Sequence, residues 1–482
     1  MAGMWRLLLA GAILFTARMS DLALPPLEDA FYAREAVEMH RAGRAFTVTW
    51  DGEPTHQHPP LQLWLIGRTF ALLGESDGAA RLPTVLMGLG VLMATYRIGV
   101  LTVGREAAQV GTALLLATPI FDVNARRVMM EVPLTFWVAL TILAFLEGLA
   151  RPRWHIFLAL PLGAAILTKS VLGLMPLLAM AGAAFHPSLR PALRSGRLWV
   201  GLGLGVALGA AWPVHQGMTQ GLEAVRIHFF GHVVRRASRR LSLVPLLTAY
   251  PLILLKFYQP VVLPALLGLV VLGRRWRQSL TGSPPGKGEA APGPAGGRPV
   301  QPATAVLVTW ILLPVVLYSF AALRTTRFIF PILPALALVA GWWVTAVAPR
   351  VGIVLARWAV PVGAVGAALV LWVAPTLLTR DATAPFKRNA ALLRATVPQG
   401  ERVPYLGRHY WLVASPLFYY AERRLDGSSD TASEALATAR TRQARVVLCA
   451  RAQCPELRQA VPGLDTVVEA REWVLVRLPP GG

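Results

Sequence analysis

Apolar residues in this chain come in runs of roughly 15 to 25 residues, the length at which a helix crosses a hydrocarbon core of about 30 Å, with short polar joints between them. The runs fall at 5–23, 82–103, 107–121, 132–149, 154–167, 171–185, 198–214, 243–272, 303–320, 328–347 and 352–374, and they predict about eleven transmembrane helices. The run 243–272 is longer than one span needs and holds Pro251, Pro260, Pro264 and Lys256. A tilt, a kink or an interfacial helix ahead of the true span all fit it. Residues 61–73 are apolar but too short to cross, which predicts an interfacial helix. The first run, with Arg6 in it, has no small-residue cleavage site and reads as an uncleaved first helix.

After residue 378 the pattern changes. Apolar runs shrink to strand length, as in RVVLCA and EWVLVRL, and alternate with polar helical stretches such as 431–442. An α-helical polytopic membrane domain, 1–378, with a small soluble α/β domain, 379–482, is the fold class this predicts. No phosphate-binding glycine motif occurs in the C-terminal part. The Gly, Pro and Ala-rich joint 274–302 carries Arg274, Arg275, Arg277, Lys287 and Arg298 and has the composition of a disordered cytoplasmic linker. Parity then puts the amino terminus inside, and the loops 24–80, 122–131 and 215–242 and the C-terminal domain outside.

Composition agrees with a membrane protein: 55% of the residues are hydrophobic and only 15% charged. The net charge of +22 comes from arginines between apolar spans, without any zinc-finger, basic-helix or aromatic-strand pattern, so nucleic acid is not the expected partner. Phosphate at a membrane surface is, because guanidinium groups meet it with planar, bidentate hydrogen bonds. The two cysteines, Cys449 and Cys454, form either a small disulfide loop in an oxidising compartment or two thiols.

Polar chemistry gathers in the outer loops. Glu28 and Asp29 open a helix-like stretch with Tyr32 one turn on, a place where carboxylates are also favoured simply by the helix dipole. Asp122, Asn124, Arg126, Arg127 and Glu131 fill the second loop, where Glu131 at membrane depth is either functional or paired with Arg126 or Arg127. Lys169 lies between two spans, placed to snorkel to the interface or to point at a phosphate. Arg324 and Arg327 occupy a short outer turn, and His228, His232, Arg235, Arg236, Arg239 and Arg240 make a basic run of the kind that faces lipid headgroups. His56 and His58 lack the thiolate or HExxH context of a zinc site, and neither a serine elbow nor a P-loop occurs.

Six pieces in order resemble the C-type, polytopic glycosyltransferases that use polyprenyl-phosphate sugars, among them bacterial relatives of the protein O-mannosyltransferases and the lipid A aminoarabinose transferases. They are EDAFYAREAVEMHRAG from Glu28, HPPLQLWL from His58, Arg81-Leu82-Pro83, ARRVMMEVPL ending in the Glu131 segment, Leu167 to Lys169, and RFIFPILP from Arg327. The acidic pair is Glu-Asp here where the family reads Asp-Glu; His58 stands where a lysine is usual, and Ser170 where a glycine is. The resemblance implies an inverting transferase that moves a sugar from a polyprenyl-phosphate donor to a lipid, glycan or protein acceptor outside the inner membrane. It implies no nucleotide or other cofactor and leaves metal dependence open. Glu28 is the implied base, with Asp29 as second choice and Glu131 as an orienting or acceptor-binding acid. His58, Lys169 and Arg327 are the implied phosphate cations, and Tyr32, His56, Arg81, Arg126 and Arg127 further contacts. A transporter or flippase of lipid-linked sugars, expected to show inverted repeats, is the alternative, and a sensor or assembly protein is a third class.

Overall fold

A computed structural model of the chain describes residues 2–234, 243–281, 302–321, 323–375 and 383–479. Nine helices and a hairpin lead through the first third: α1 (Ala2–Thr16), α2 (Glu28–Arg41), β1 (Thr49–Trp50), β2 (Glu53–Pro54), α3 (Leu61–Leu73), α4 (Asp77–Thr102), α5 (Arg105–Leu116), α6 (Pro119–Ala125), α7 (Glu131–Ala150), α8 (Ala159–Lys169) and α9 (Met175–Met180). By length and composition, six helical runs among the described residues can cross a membrane: Asp77–Thr102, Glu131–Ala150, Pro152–Ala184, Gly196–Gln220, Thr326–Val347 and Pro349–Val373. Five shorter apolar helices accompany them, Leu61–Leu73 among them. The chain is thus a multi-pass membrane protein.

Local chemistry suits the apolar setting. Threonines 95, 102, 112, 135, 141 and 168 each return their hydroxyl to the carbonyl four residues earlier, so none is left unsatisfied in the bundle. Ser76 caps α4 by accepting from the Ala79 N–H at 3.2 Å. Helix α5 packs directly on Leu333–Val347 through glycines: a Cβ on Gly111 would stand 2.7 Å from the Ala337 carbonyl oxygen. Such close backbone approach is how helices gain contact where lipid offers no hydrophobic drive.

The run Pro152–Ala184 reverses at Ser170. Lys169 reaches Glu131 at the start of α7, whereas thirteen residues on, Gly182 abuts Ala305 at the first turn of the helix Thr304–Ser319. The two arms are those expected at 154–167 and 171–185. Ser170 sits at φ 51°, ψ −128°, a conformation that favours glycine, the residue usual at this position in the motifs the sequence resembles.

Several boundaries differ from expectation. The run 107–121 is interrupted at Ala117–Thr118 by Pro119, so α5 and α6 are separate helices and Asp122 and Asn124 are helical rather than loop residues. The run 243–272 splits into Leu243–Phe257 and Val262–Thr281 around Pro260. The second of these carries Arg274, Arg275 and Arg277 within it, so the expected linker at 274–302 begins later; Lys287 and Arg298 lie outside the described residues. The helix Gly196–Gln220 extends past His215, shortening the expected loop 215–242, of which Arg235, Arg236, Arg239 and Arg240 also lie outside the described residues.

In the C-terminal part, β4 (Tyr405–Leu406), β6 (Val446–Ala450), β8 (Trp473–Arg477) and β7 (Asp465–Glu469) form a sheet in the order β4-β6-β8-β7. β3 (Arg402–Val403) pairs separately with β5 (Arg424–Leu425). A disulfide joins Cys449 at the end of β6 to Cys454 at the start of the next helix, which settles the cysteine alternative. This part docks on the α2 end of the bundle. Thr383 donates to the Leu24 carbonyl at 2.5 Å, Tyr420 accepts from the Leu24 N–H at 2.6 Å, and Lys387 pairs with Asp77 at 2.8 Å.

Candidate active site

Four helix starts and ends meet beneath the C-terminal part: α2 beginning at Glu28, α7 at Glu131, α8 ending at Lys169 and the run Thr326–Val347 beginning beside Arg327. Helix α2 opens without a side-chain cap, and Leu27 before it is held at φ 66°, ψ −122°. A leucine in that region is strained by roughly 1–3 kcal/mol, and the strain lies on the wall of a cleft.

Consecutive helical residues point about 100° apart, and this separates the acidic pair. Asp29 turns inward and is fully buried. One of its oxygens accepts from Arg127 Nε at 3.0 Å and Nη2 at 2.5 Å, and the other from the Val128 N–H at 2.8 Å. Glu28 turns outward, keeps 28% of its side chain exposed and accepts from Arg327 Nη1 at 2.5 Å. Burial alone would raise the Glu28 pKa, but the hydrogen bond and charge of Arg327 outweigh it and hold the carboxyl below its ordinary value.

Glu131 is the buried hub between the two nearby cations. Lys169 Nζ donates to it at 2.7 Å, and Arg327 Nε stands 3.9 Å away. Its expected partners Arg126 and Arg127 are engaged elsewhere, because α7 meets the end of α8 face on while Arg127 turns back to α2. Lys169 accordingly does not snorkel.

A polar cleft of about 290 Å³ is lined by Leu27, Glu28, Phe31, Tyr32, Gln57, His58, Arg327 and Trp411. Next to it, an apolar cavity of about 390 Å³ runs between Leu172, Leu317, Tyr318, Phe320 and Phe328. Gln57 and His58 line both, and Lys169 and Ser170 line the apolar one. Tyr32 and His58 share a hydrogen bond of 3.3 Å at this junction. Burial, and then the carboxylates of Glu131, Glu28 and Glu35, push the Tyr32 phenol well above its ordinary value, so it stays protonated. The arrangement can place a lipid tail in the cavity, its phosphate near Lys169 and His58, and a sugar-sized group beside Glu28.

Not every expected residue comes to the cleft. Arg81 is buried and donates to the carbonyls of Met19, Leu22 and Ala23, tying α4 to the chain after α1. Arg126 likewise donates to the Ala17 carbonyl at 2.5 Å. His56 stands behind the wall: its ring meets Gln216 at 3.2 Å, and its carbonyl lies 2.7 Å from a ring nitrogen of His228. Trp411 was not expected. It arrives from the C-terminal part and packs edge-on against Phe31 and Trp50, with ring centroids 5.8 and 5.9 Å away. No local signal marks it, since its relevance comes from a contact across nearly 400 positions. Glu35, two turns along α2 from Glu28, is fully buried and accepts from the Thr55 hydroxyl at 2.9 Å, and burial raises its pKa well above the ordinary carboxyl value. Among the described residues, no group of three or more His, Cys, Asp or Glu side chains is placed to hold a metal ion.

The helical bundle thus gathers acids and cations at one end, beside an apolar cavity. Comparisons with known proteins show what its fold is similar to. Residues 57–215 match the family described as dolichyl-phosphate-mannose-protein mannosyltransferase. ArnT from Cupriavidus metallidurans bound to undecaprenyl phosphate superposes with a TM-score of 0.70 at 17% identity, covering 98% of both chains. The Archaeoglobus fulgidus oligosaccharyltransferase, in complex with zinc and sulfate, gives 0.56 at 10% identity over 98% of this chain and 74% of that one. An uncharacterized protein of Aquifex aeolicus is 29% identical over 148 residues, and the match spans 30% of each chain.

Proposed function

We propose that the protein is an inverting glycosyltransferase that moves a sugar from a polyprenyl-phosphate donor to an acceptor outside the inner membrane. The observation that carries this reading is the meeting of a polar cleft that holds Glu28 and an apolar cavity at Gln57 and His58, with Lys169 at the join. The neighbour bound to undecaprenyl phosphate and the mannosyltransferase-family match support the donor class.

In this reading Glu28 accepts the proton of the acceptor hydroxyl as its oxygen attacks the sugar's anomeric carbon. The bond from that carbon to the phosphate oxygen breaks, and its electron pair leaves on the lipid phosphate. Lys169, His58 and Arg327 would meet the charge that develops there. Arg327 would release Glu28 when donor phosphate arrives, exchanging one anionic partner for another. Glu131, almost inaccessible, orients Lys169 rather than binding acceptor. Asp29 holds the frame through Arg127. The C-terminal part, as an extracytoplasmic α/β domain from residue 379 onward, supplies Trp411 as the cleft's aromatic wall.

Purified protein given a radiolabelled polyprenyl-phosphate sugar and membrane acceptors should transfer label, and Glu28→Gln should slow transfer by roughly 10²–10⁴-fold. Equal rates for wild type and Glu28→Gln would sink the assignment of the base. A wild type that only carries the intact lipid across vesicles would replace the transferase reading with the flippase one.

A further inference from the structure

A third cavity, of about 140 Å³, lies between the C-terminal end of α2 and α3, lined by His40, Gly43, Arg44, Trp64, Gly67 and Arg68 among others. At 1.5 Å per residue, His40 is about 18 Å along α2 from Glu28, so this cavity is separate from the candidate active site. It belongs to the part of the molecule where cations are otherwise matched. Arg34 pairs with Glu38 at 3.3 Å, and Arg41 pairs with Glu75 at 2.7 Å and Glu422 at 2.8 Å. Arg44 and Arg68 are different. Both are exposed, and neither has a carboxylate within ion-pair distance among the described residues. The Arg68 guanidinium lies over the Trp64 ring at 4.8 Å, which holds it at the rim of the cavity.

The end of α2 does not repel an anion here as an open helix terminus would. The carbonyls of Glu38, Met39 and His40 are already taken by the N–H groups of Ala42, Arg44 and Gly43, and His40 and Arg41 occupy the last turn. Gly67 keeps the floor low: its nearest neighbour is the His40 side chain, 3.5 Å from where a Cβ would be.

The free face of α3 says where the charge comes from. Leu61, Trp64, Leu65, Arg68 and Leu72 recur at helical spacing on its accessible side, and Leu72 and Leu73 are 82% and 62% exposed. An apolar stripe with a tryptophan and one arginine is the pattern of a helix lying in a membrane interface. From the unpaired arginines beside this stripe, we infer that the cavity binds the phosphate of an anionic phospholipid whose acyl chains lie along Leu61, Leu65 and Leu72. The site holds α3, and through it the His58–Pro60 turn that opens onto the active-site cleft, against the bilayer. It stands apart from the transferase reading and survives that reading's failure.

The test uses full-length protein in neutral detergent, with native mass spectrometry counting retained phosphatidylglycerol against phosphatidylcholine at equal concentration. Wild type should retain one phosphatidylglycerol in preference to phosphatidylcholine. R44Q/R68Q should retain roughly tenfold less or lower, since each guanidinium supplies charge-assisted hydrogen bonds. R471Q, which removes an exposed charge from the C-terminal part, should behave as wild type. If the double variant does not fold, R68Q alone should still reduce retention several-fold. Undiminished retention in the arginine variants overturns the inference, as does equal retention of the two lipids. Inorganic phosphate that binds with the same arginine dependence while phosphatidylglycerol does not would overturn it too, by making this a free-anion site.

Discussion

Neighbouring residues at the start of α2 look into two regions governed by different physics. On the outer side, Glu28 lines an open cleft and is paired with Arg327. On the inner side, Asp29 is sealed off, with both oxygens committed to Arg127 and the Val128 N–H. Two carboxylates of nearly equal chemistry thus differ in access, and the proposed reading gives them different work accordingly: a group that exchanges partners needs access, and a group that holds a frame needs the opposite.

The sharpest way to break that contrast is to neutralise each acid and read fold and transfer separately. Glu28→Gln should abolish most transfer while leaving the thermal midpoint nearly unchanged. Asp29→Ala should instead lower stability by about 3–5 kcal/mol, because it leaves the mostly buried Arg127 without its counter-charge. Thermal unfolding alongside the transfer assay checks both, and a stable but inactive Asp29→Ala would reverse the roles.

Next in size is the hub behind the cleft. Lys169→Gln should raise the donor KM by tenfold or more and slow the departure of phosphate, and Glu131→Gln should do so more mildly, since Lys169 loses its orienting partner but keeps its charge. A change confined to acceptor KM in either variant would move the phosphate site away from the cavity join.

Trp411 tests whether the cleft needs its wall from the C-terminal part. Trp411→Ala should weaken transfer several-fold, equivalent to the roughly 1 kcal/mol of an aromatic contact, and Trp411→Phe should restore most of it. Equal activity in Trp411→Ala would make that wall incidental.

The smallest effect belongs to Glu35, which contrasts with Glu28 in the sign of its shift. A carboxyl with a raised folded pKa stabilises the fold fully below its unfolded value of about 4.3, and that contribution is lost as pH rises toward the folded value. Glu35→Gln should therefore gain a few degrees in thermal midpoint at pH 8 relative to wild type and little at pH 4. Glu28, held below its ordinary value, acts in the opposite sense: its contribution is present above the unfolded value and is lost as acid protonates it. Parallel pH profiles for Glu35→Gln and wild type would mean that Glu35 is charged in the fold.

Much of the molecule was legible along the chain because its cause is local. A run of apolar residues must bury its backbone polar groups in a helix wherever it crosses lipid, so the six long apolar runs, the short apolar helix α3 and the change of pattern after residue 378 follow from period and length alone, whereas the expected count of eleven spans does not. The breaks at Pro119 and Pro260 have local causes too, yet the run 107–121 reads as one span in sequence, because how far a proline divides a run depends on neighbours. The acidic pair, Tyr32, His58, Lys169 and Arg327 were readable as candidates from their place beside the spans, and the fold gathers them at one end of the bundle. Arg81 and Arg126 looked equivalent to Arg127 in sequence, yet they spend their guanidinium groups on the carbonyls of the chain after α1.

Sequence by itself, then, determined the membrane class, the long apolar helices and the set of charged residues near their ends, because helix formation in lipid and the cost of an unpaired charge act over a few residues. Only the tertiary structure decided which cation each acid meets, which carboxylate stays open to the cleft, that Trp411 lines it, and that Arg44 and Arg68 meet no carboxylate among the described residues. Those outcomes depend on elements tens to hundreds of positions apart packing at fixed angles, and the free energy of an ion pair is set by distance and burial that no single segment carries.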